Sequence, residues 1–289
     1  MAGGTIRIGI AGWNFPDWRG EFYPKGLPQK QELHFASRAL RTVEINSTFY
    51  GLPKPESVAA WAAEVPADFR FPVKGPQTVT HIKKLNDVEL PLANFFASGI
   101  LALGEKLGPF VWQLPPNLGF NRDRMETFLN LLPHDAAALK RLAAKHDDRI
   151  KAPVLEHAGA VTIRHAIEVR HKSFADPAFL DLLRAHDVAL VTADTAEWPT
   201  MDLTAGFAYL RLQGAPGSDH YSEADLDLWA ARLKALAEGA DLPEGRFIGG
   251  AASDGKPRDV FAYFVSTDKV HAPRNAMAIM QRLGLAPYA

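Results

Sequence analysis

Cysteine is absent from all 289 residues. That excludes disulfides, thiolate nucleophiles and cysteine-ligated metal together, and it fits a reducing compartment. Charge of one sign is also missing, with 33 acidic residues against 32 basic ones. Duplex nucleic acid is usually met by a net basic domain or stripe, so nucleic acid is the less favoured partner. Long apolar runs are lacking too. The most apolar stretch, Phe95–Leu103, is far shorter than the roughly 20 residues a bilayer-spanning helix needs, so no membrane association is expected. The first twelve residues hold one Arg and no long apolar run, unlike a secretory leader. A cytoplasmic location is the expectation. No G-x-G-x-x-G follows an apolar run, no G-x-S-x-G elbow occurs, and no H-x-H or H-E-x-x-H spacing is present.

What is present is a steady alternation of short apolar runs and helical patterns, in a chain that is 47% hydrophobic and 22% charged. Eight strands are expected: Ile6–Ala11, Thr42–Asn46, Phe69–Lys74, Phe110–Leu114, Ala166–Arg170, Ala189–Asp194, Phe207–Gln213 and Val260–Ser266. Between them the 3.6-residue spacing predicts helices over Pro55–Val65, Leu92–Leu107, Arg122–Leu132, Ala136–Lys145, Pro177–His186, Glu223–Glu238 and Asn275–Leu283. Gly108 is the expected stop of the second of these, and Ser222 with Asp225 resembles a capping box. Strand–helix alternation with short loops predicts a parallel α/β fold, and eight units in this length favour a (β/α)8 TIM-type barrel. No linker composition breaks the chain, so residues 1–289 read as a single domain. The long connection Asp135–Thr162 reads as an extra helical insertion between strands four and five.

Side chains alternate along a strand, and barrel active sites collect at the carboxyl ends of strands. The expected faces put Glu44 with Asn46, Glu168 with Arg170, Thr192 with Asp194, and Tyr209 with Arg211 and Gln213; Lys74 ends strand three and Gln113 lies near the end of strand four. Three carboxylates (Glu44, Glu168, Asp194) thus meet three cations (Lys74, Arg170, Arg211). Ions inside a low-dielectric lumen must be paired, hydrated or bound to something. One reading is a structural network that fixes register. The favoured one is a ligand site, because a packing network has no reason to gather at one end of so many strands.

Lys74, Arg170 and Arg211 suit a small-molecule anion such as a phosphate or carboxylate. A divalent metal on Glu44, Glu168, Asp194, His81 or His171 is the less favoured cofactor reading; other cofactors and the oligomeric state stay open. Aromatic residues crowd the loops after strands one and two (Trp13, Phe15, Trp18, Phe22, Tyr23, Phe49, Tyr50) and Tyr221 follows strand seven. Such rings can stack a planar ligand or simply pin a loop. Gly250-x4-Gly255-Lys256 imitates a phosphate loop, but Pro257 stands where Ser or Thr is required and a strand is expected next, where a helix should follow.

Several segments together resemble the YecE-like family, also called the domain-of-unknown-function 72 family. They are Ala11-Gly-Trp13, Trp18-Arg-Gly20, Phe22-Tyr-Pro24, Thr42–Tyr50, Phe69–Lys74, Thr80-His81, Gln113–Pro116, Glu168–His171 and Ala272–Ala276. The resemblance implies a TIM-type barrel and no settled activity. It supports Glu44, Asn46, Lys74, His81, Gln113, Glu168, Arg170 and His171 as pocket residues. Departures fall at Gln213, at Val265 and Ser266, and in the long Asp135–Thr162 connection. The expected function is an enzyme, an isomerase or hydrolase, acting on a small anionic or sugar-like substrate. Glu44, Glu168 and Asp194 would do its acid–base chemistry, and Trp13, Asn46, Tyr50, Lys74, His81, Gln113, Arg170, His171, Arg211 and Gln213 would bind the substrate. The alternatives are metal-assisted phosphodiester cleavage, by analogy with the endonuclease-four barrel, and a non-catalytic ligand-binding or interaction module.

Overall fold

A computed structural model describes residues 3–156, 162–195, 197–214, 221–249, 254–265 and 270–288. Eight strands alternate with helices in a (β/α)8, TIM-type fold. The strands are β1 Ile6–Ala11, β2 Thr42–Glu44, β3 Phe71–Lys74, β4 Leu107–Gln113, β5 His165–Glu168, β6 Val188–Ala193, β7 Phe207–Leu212 and β8 Asp259–Phe264. The helices are α1 Glu32–Ala39, α2 Pro55–Glu64, α3 Glu89–Ala97, α4 Arg122–Leu131, α5 Ala136–Ala143, α6 Pro177–Ala185, α7 Glu223–Glu238 and α8 His271–Arg282. Every expected strand exists, and α5 is the insertion expected between β4 and β5. Helix α1 stands outside the set of expected helices. Ser266, the expected end of the last strand, and residues 157–161 of the long connection lie outside the described residues.

The chain divides into two compact units. The first holds Met1–Glu44 and Ala175–Ala289, the second Ile45–Phe174. In the first, β1 pairs in parallel with β2 and β8, and β7 pairs in parallel with β8 and β6. Its core is aliphatic along β1 and mixed along β7 and β8, with Ile8, Ile10, Leu210, Leu212, Val260 and Phe264 all buried. Helix α7 begins on a full capping box, Ser222 and Asp225 each bonding the other's backbone. Asp serves in place of Glu because its shorter carboxylate still reaches the Ser222 N–H, at 2.9 Å.

In the second unit β4 pairs in parallel with β3 and β5. Its core is aromatic. Phe95 and Phe96 of α3 meet Phe110 at 5.7 and 5.1 Å between ring centroids, and Trp112 meets Phe128 of α4 at 5.5 Å. Burial of each such ring contributes about 1.5–3 kcal/mol.

The expected helix Leu92–Leu107 is corrected by the structure. Helix α3 stops at Ala97, because Gly99 sits at φ +102°, where an added Cβ would lie 2.7 Å from the Pro55 Cα. A 3-10 segment Ile100–Lys106 follows, and Leu107 and Gly108 already belong to β4. Helix α8 starts at His271, four residues before the expected Asn275, since Pro273 is compatible with a first helical turn.

The ends of the strands carry a second correction. β2 stops at Glu44, β5 at Glu168, β6 at Ala193 and β7 at Leu212. Asn46, Arg170, Asp194 and Gln213 therefore stand beyond the strand ends, outside the strand alternation that was expected to orient them. Asn46 has helical dihedrals, φ −99° and ψ −19°.

Candidate functional site

Three neighbouring strands of the second unit end on polar residues: β3 on Lys74, β4 on Gln113 and β5 on Glu168. The register sets Gln113 opposite Glu168 and Lys74 opposite Val111. The side chains form one hydrogen-bonded chain. Lys74 Nζ donates to Gln113 Oε1 at 2.8 Å. Gln113 Nε2 lies 2.9 Å from both oxygens of Glu168, and Arg170 Nε donates to Glu168 Oε1 at 2.9 Å. Burial falls steeply along it: Glu168 is 1% exposed and the Arg170 side chain 41%. The carboxylate is thus an internal anchor, and the guanidinium opens to solvent.

Local structure fixes both ends. Gly75 follows Lys74, and any Cβ there would strike the Trp112 ring at 2.2 Å; only glycine lets the chain turn so close to the core. The Thr48 hydroxyl donates to the Lys74 carbonyl at 2.6 Å, and the Lys74 ammonium lies 4.2 Å from the centroid of the Phe49 ring. Such a contact stabilises the cation.

Behind β3 a π-helical turn, Thr78–Ile82, carries His81. Single π turns recur at functional sites. Lys84 and Leu85 follow it at φ 49° and 69°, a left-handed pair that is strained for side chains with a Cβ. Leu85 is buried and holds it in place. His81 packs edge-on against Phe49 with centroids 4.9 Å apart, and its Nδ1 shares a 2.8 Å hydrogen bond with the Thr80 hydroxyl. Its pKa is lowered from the ordinary histidine value, first by burial and then by the Lys74 and Arg170 charges, against the opposing pull of Glu168. The imidazole is therefore neutral at pH 7 beside two cations.

Asn46 stands one residue beyond Ile45, whose carbonyl accepts from the Lys74 N–H at 3.0 Å. Its side-chain Oδ1 is buried and has no hydrogen-bond partner among the described residues. Tyr50 is 78% exposed and leans on Phe49. His171 turns to Ser173, its Nδ1 2.8 Å from the hydroxyl and 3.2 Å from the Ser173 nitrogen; that arrangement closes the turn after β5.

The remaining expected residues lie in the first unit. Glu44 ends β2 and is fully buried. Tyr209 donates its hydroxyl to Glu44 Oε2 at 2.6 Å, and Arg211 Nη2 donates to Oε1 at 3.0 Å. Tyr209 stacks on Tyr263, whose hydroxyl bonds Thr42 at 2.8 Å. Burial, then the Glu44 charge, pushes the Tyr209 phenol well above its usual range, so it stays a donor. The alternation that puts Tyr209 and Arg211 on one face holds here because β7 is regular through Leu212.

Asp194 binds the start of the loop after β7, accepting from the Gln213 and Gly214 nitrogens at 2.8 and 3.0 Å and from the Tyr221 hydroxyl. Its pKa is raised by burial, against those hydrogen bonds. It borders a cavity of about 200 Å³ lined also by Trp198, Thr200, Tyr221, Trp229 and Arg232. The Trp13 carbonyl accepts from Tyr23 at 2.5 Å, tying the aromatic loop after β1 to itself. Among the described residues no group of three or more His, Asp or Glu side chains is placed to hold a metal ion, and no helix is long and apolar enough to cross a membrane.

Sequence reasoning missed Asn46's orphaned acceptor, the Phe49 platform and the π turn. The first two follow from a strand that stops early. Nothing in the residue types of Thr78–Ile82 distinguishes a π turn from an α turn.

The family model described as "Protein of unknown function DUF72" matches residues 7–288. Two curated relatives, the "UPF0759 protein YecE" of Escherichia coli K12 and that of E. coli O157:H7, are each 33% identical over 114 residues. The match covers 39% of this chain and 39% of theirs. A crystal structure of a DUF72 family protein from Thermotoga maritima superposes with TM-score 0.70 at 23% identity, over 97% of this chain and 99% of that one. A DUF72 family protein of Enterococcus faecalis V583 gives 0.65 at 18%, over 98% and 96%. At such identities the structural likeness shows the fold.

Proposed function

Because the chain belongs to the DUF72 family, whose description assigns no activity, its function has to be read from its own residues. We propose an enzyme that binds a small hydroxylated oxyanion and moves a proton on it, with Lys74 and Arg170 holding the anionic group and His81 exchanging the proton. The observation that carries this reading is the Lys74–Gln113–Glu168–Arg170 chain across three adjacent strand ends beside a neutral, half-buried histidine.

Each group has a distinct role. Arg170 presents a planar fork suited to carboxylate or phosphate. Glu168, buried and held by Gln113, aims that fork, and Gln113 carries the polarity on to Lys74. A neutral imidazole in the field of two cations is a base whose conjugate acid readily gives up its proton, which suits a proton shuttle. Asn46 Oδ1 supplies an acceptor for a substrate hydroxyl, which would relieve an otherwise costly buried atom. This reading moves the acid–base role from Glu44 and Asp194, whose oxygens are taken up by Tyr209, Arg211, Tyr221 and backbone N–H groups, to His81.

The test is a thermal-shift screen of inorganic phosphate, small hydroxy acids and sugar phosphates at fixed ionic strength. Ligands that bind only the folded chain raise its melting temperature. The shift given by a hit should shrink in Lys74→Met and in Arg170→Gln. Incubation of the hit in deuterated water should label one carbon-bound position with wild type and not with His81→Asn. Absence of any oxyanion hit, or a hit indifferent to both cation substitutions, refutes the proposal.

A further inference from the structure

A second cavity lies in the first unit, at the amino ends of its strands. It measures about 630 Å³, and its wall includes Asp187, Gly206 and Arg258, the residues immediately preceding β6, β7 and β8, together with Arg184, Asp254 and Lys256. In TIM-type folds catalysis belongs to the carboxyl ends of strands, so a polar cavity at the amino ends has to be explained separately.

Its described walls are tied together by hydrogen bonds. The Asp187 carboxylate accepts from the Gly206 N–H at 2.8 Å, and the buried Thr204 hydroxyl ties the Leu190 N–H to the Val188 carbonyl at 2.7 Å each. Asp202, also buried, accepts from the Ile248 and Gly249 nitrogens at 2.7 and 2.8 Å. The Lys256 backbone packs against Gly239, where an added Cβ would fall 2.5 Å from the Lys256 carbonyl carbon. The side chains at issue stand on this frame.

Arg258 is the central one. Its side chain is 3% exposed, and Asp254 engages one end of the guanidinium, Nη2. Its Nε and Nη1 are buried and meet no acceptor among the described residues. A guanidinium cannot shed its charge in a protein, and a buried donor left unmet is costly. Lys256 and Arg184 stand on the same wall with Asp187 and Asp254, and Arg184 also bonds Asp181 at 3.3 Å and the Leu203 carbonyl at 3.4 Å. Both carboxylates are already occupied, Asp187 by Gly206 and Asp254 by Arg258 and the Lys256 N–H at 3.1 Å. Among the described residues, the Nε and Nη1 groups of Arg258 are therefore donors in excess of the acceptors around them.

We propose that this cavity binds a small oxyanion, the phosphate or carboxylate group of a metabolite, through Arg258, Lys256 and Arg184. Its volume falls in the range of small-ligand sites, about 300–1,000 Å³. The Gly255-Lys256 pair that imitates a phosphate loop in the sequence takes part here through the lysine and its cationic neighbours. No helix follows it; β8 does.

Calorimetric titration of inorganic phosphate, with acetate in parallel and chloride keeping ionic strength fixed, tests the site. The full chain carries Lys74→Met and Arg170→Gln, which removes the oxyanion site proposed in the second unit. Phosphate or acetate should still bind this background, and adding Lys256→Met, on an exposed loop residue, should weaken the affinity at least tenfold, with Arg184→Gln acting in the same direction. Arg258→Gln should abolish binding where it folds. No heat in the Lys74→Met, Arg170→Gln background overturns this proposal and leaves the first site standing. Binding that neither Lys256→Met nor Arg184→Gln weakens overturns it equally. Binding to the wild-type chain that Lys74→Met and Arg170→Gln leave unchanged counts against the first site and not against this one.

Discussion

Two glutamates end strands in this protein, and each accepts from an arginine. Glu44 and Arg211, in the first unit, have side chains 0% and 5% exposed. Glu168 and Arg170, in the second, are 1% and 41% exposed. The carboxylates are equally buried; the cations are not. A sealed pair with a tyrosine completing its shell is a structural pin, since nothing from solvent reaches it. A buried carboxylate carrying a half-exposed guanidinium is a mount, holding a cation where a ligand can meet it. What separates the two is which partner water can reach, since the ion-pair chemistry is the same in both.

The comparison breaks first on stability. Removing one member of a buried pair strands the other, at a cost of about 3–5 kcal/mol. Glu44→Gln should lose that much in urea denaturation, and a loss under 1 kcal/mol would show that Arg211 finds relief elsewhere.

The histidines sharpen the same contrast. His165 is fully buried. It is held between the Pro133 carbonyl at 2.7 Å and the Trp112 indole at 3.2 Å, and burial brings its pKa down to about 3. The unfolded histidine titrates near 6.5. The unfolded chain therefore takes up a proton that the folded chain refuses. Stability from this group is complete above pH 6.5 and falls as pH drops toward 3. Between pH 7 and pH 4 it should account for a loss of about 3 kcal/mol. His165→Gln should flatten that slope, whatever its cost at pH 7; an unchanged slope contradicts the assignment.

Glu168→Gln should cost less than Glu44→Gln, about 1–3 kcal/mol, because Arg170 can turn to water. Its larger consequence should be functional, a loss of most oxyanion affinity together with Arg170's aim. Equal destabilisation by the two substitutions would erase the distinction between pin and mount.

The smallest effect concerns His81. Its ring should titrate below 6.5 in an NMR titration of the free protein, and bound phosphate, by neutralising Lys74 and Arg170, should move the midpoint upward by under one pH unit, about 1 kcal/mol. A midpoint that phosphate leaves in place would detach His81 from the cations.

The contrast also shows what could be read in advance. The strands and the insertion helix were legible because hydrophobic period and turn chemistry are local. Lys74, Gln113 and Glu168 were legible as strand-end polar residues for the same reason. Asn46, Arg170, Asp194 and Gln213 were named as site residues but expected on strand faces. Each strand stops before them, and nothing local announces where a ladder loses its last partner. The Gly99 break was hidden for a related reason. Leu92–Leu107 has an unbroken helical pattern, and only the approach of Pro55 demands glycine at a left-handed position.

By itself, then, the sequence determined the (β/α)8 order, the placing of charged residues near strand ends, and the lack of thiol chemistry, all consequences of residue type and near-neighbour spacing. Tertiary structure alone decided which glutamate is sealed and which carries an exposed cation, that the His81 pKa is lowered, and that Arg258 borders a cavity with two N–H groups unmet among the described residues. Those properties depend on burial and on the field of residues distant in sequence, and neither is written in any window of the chain.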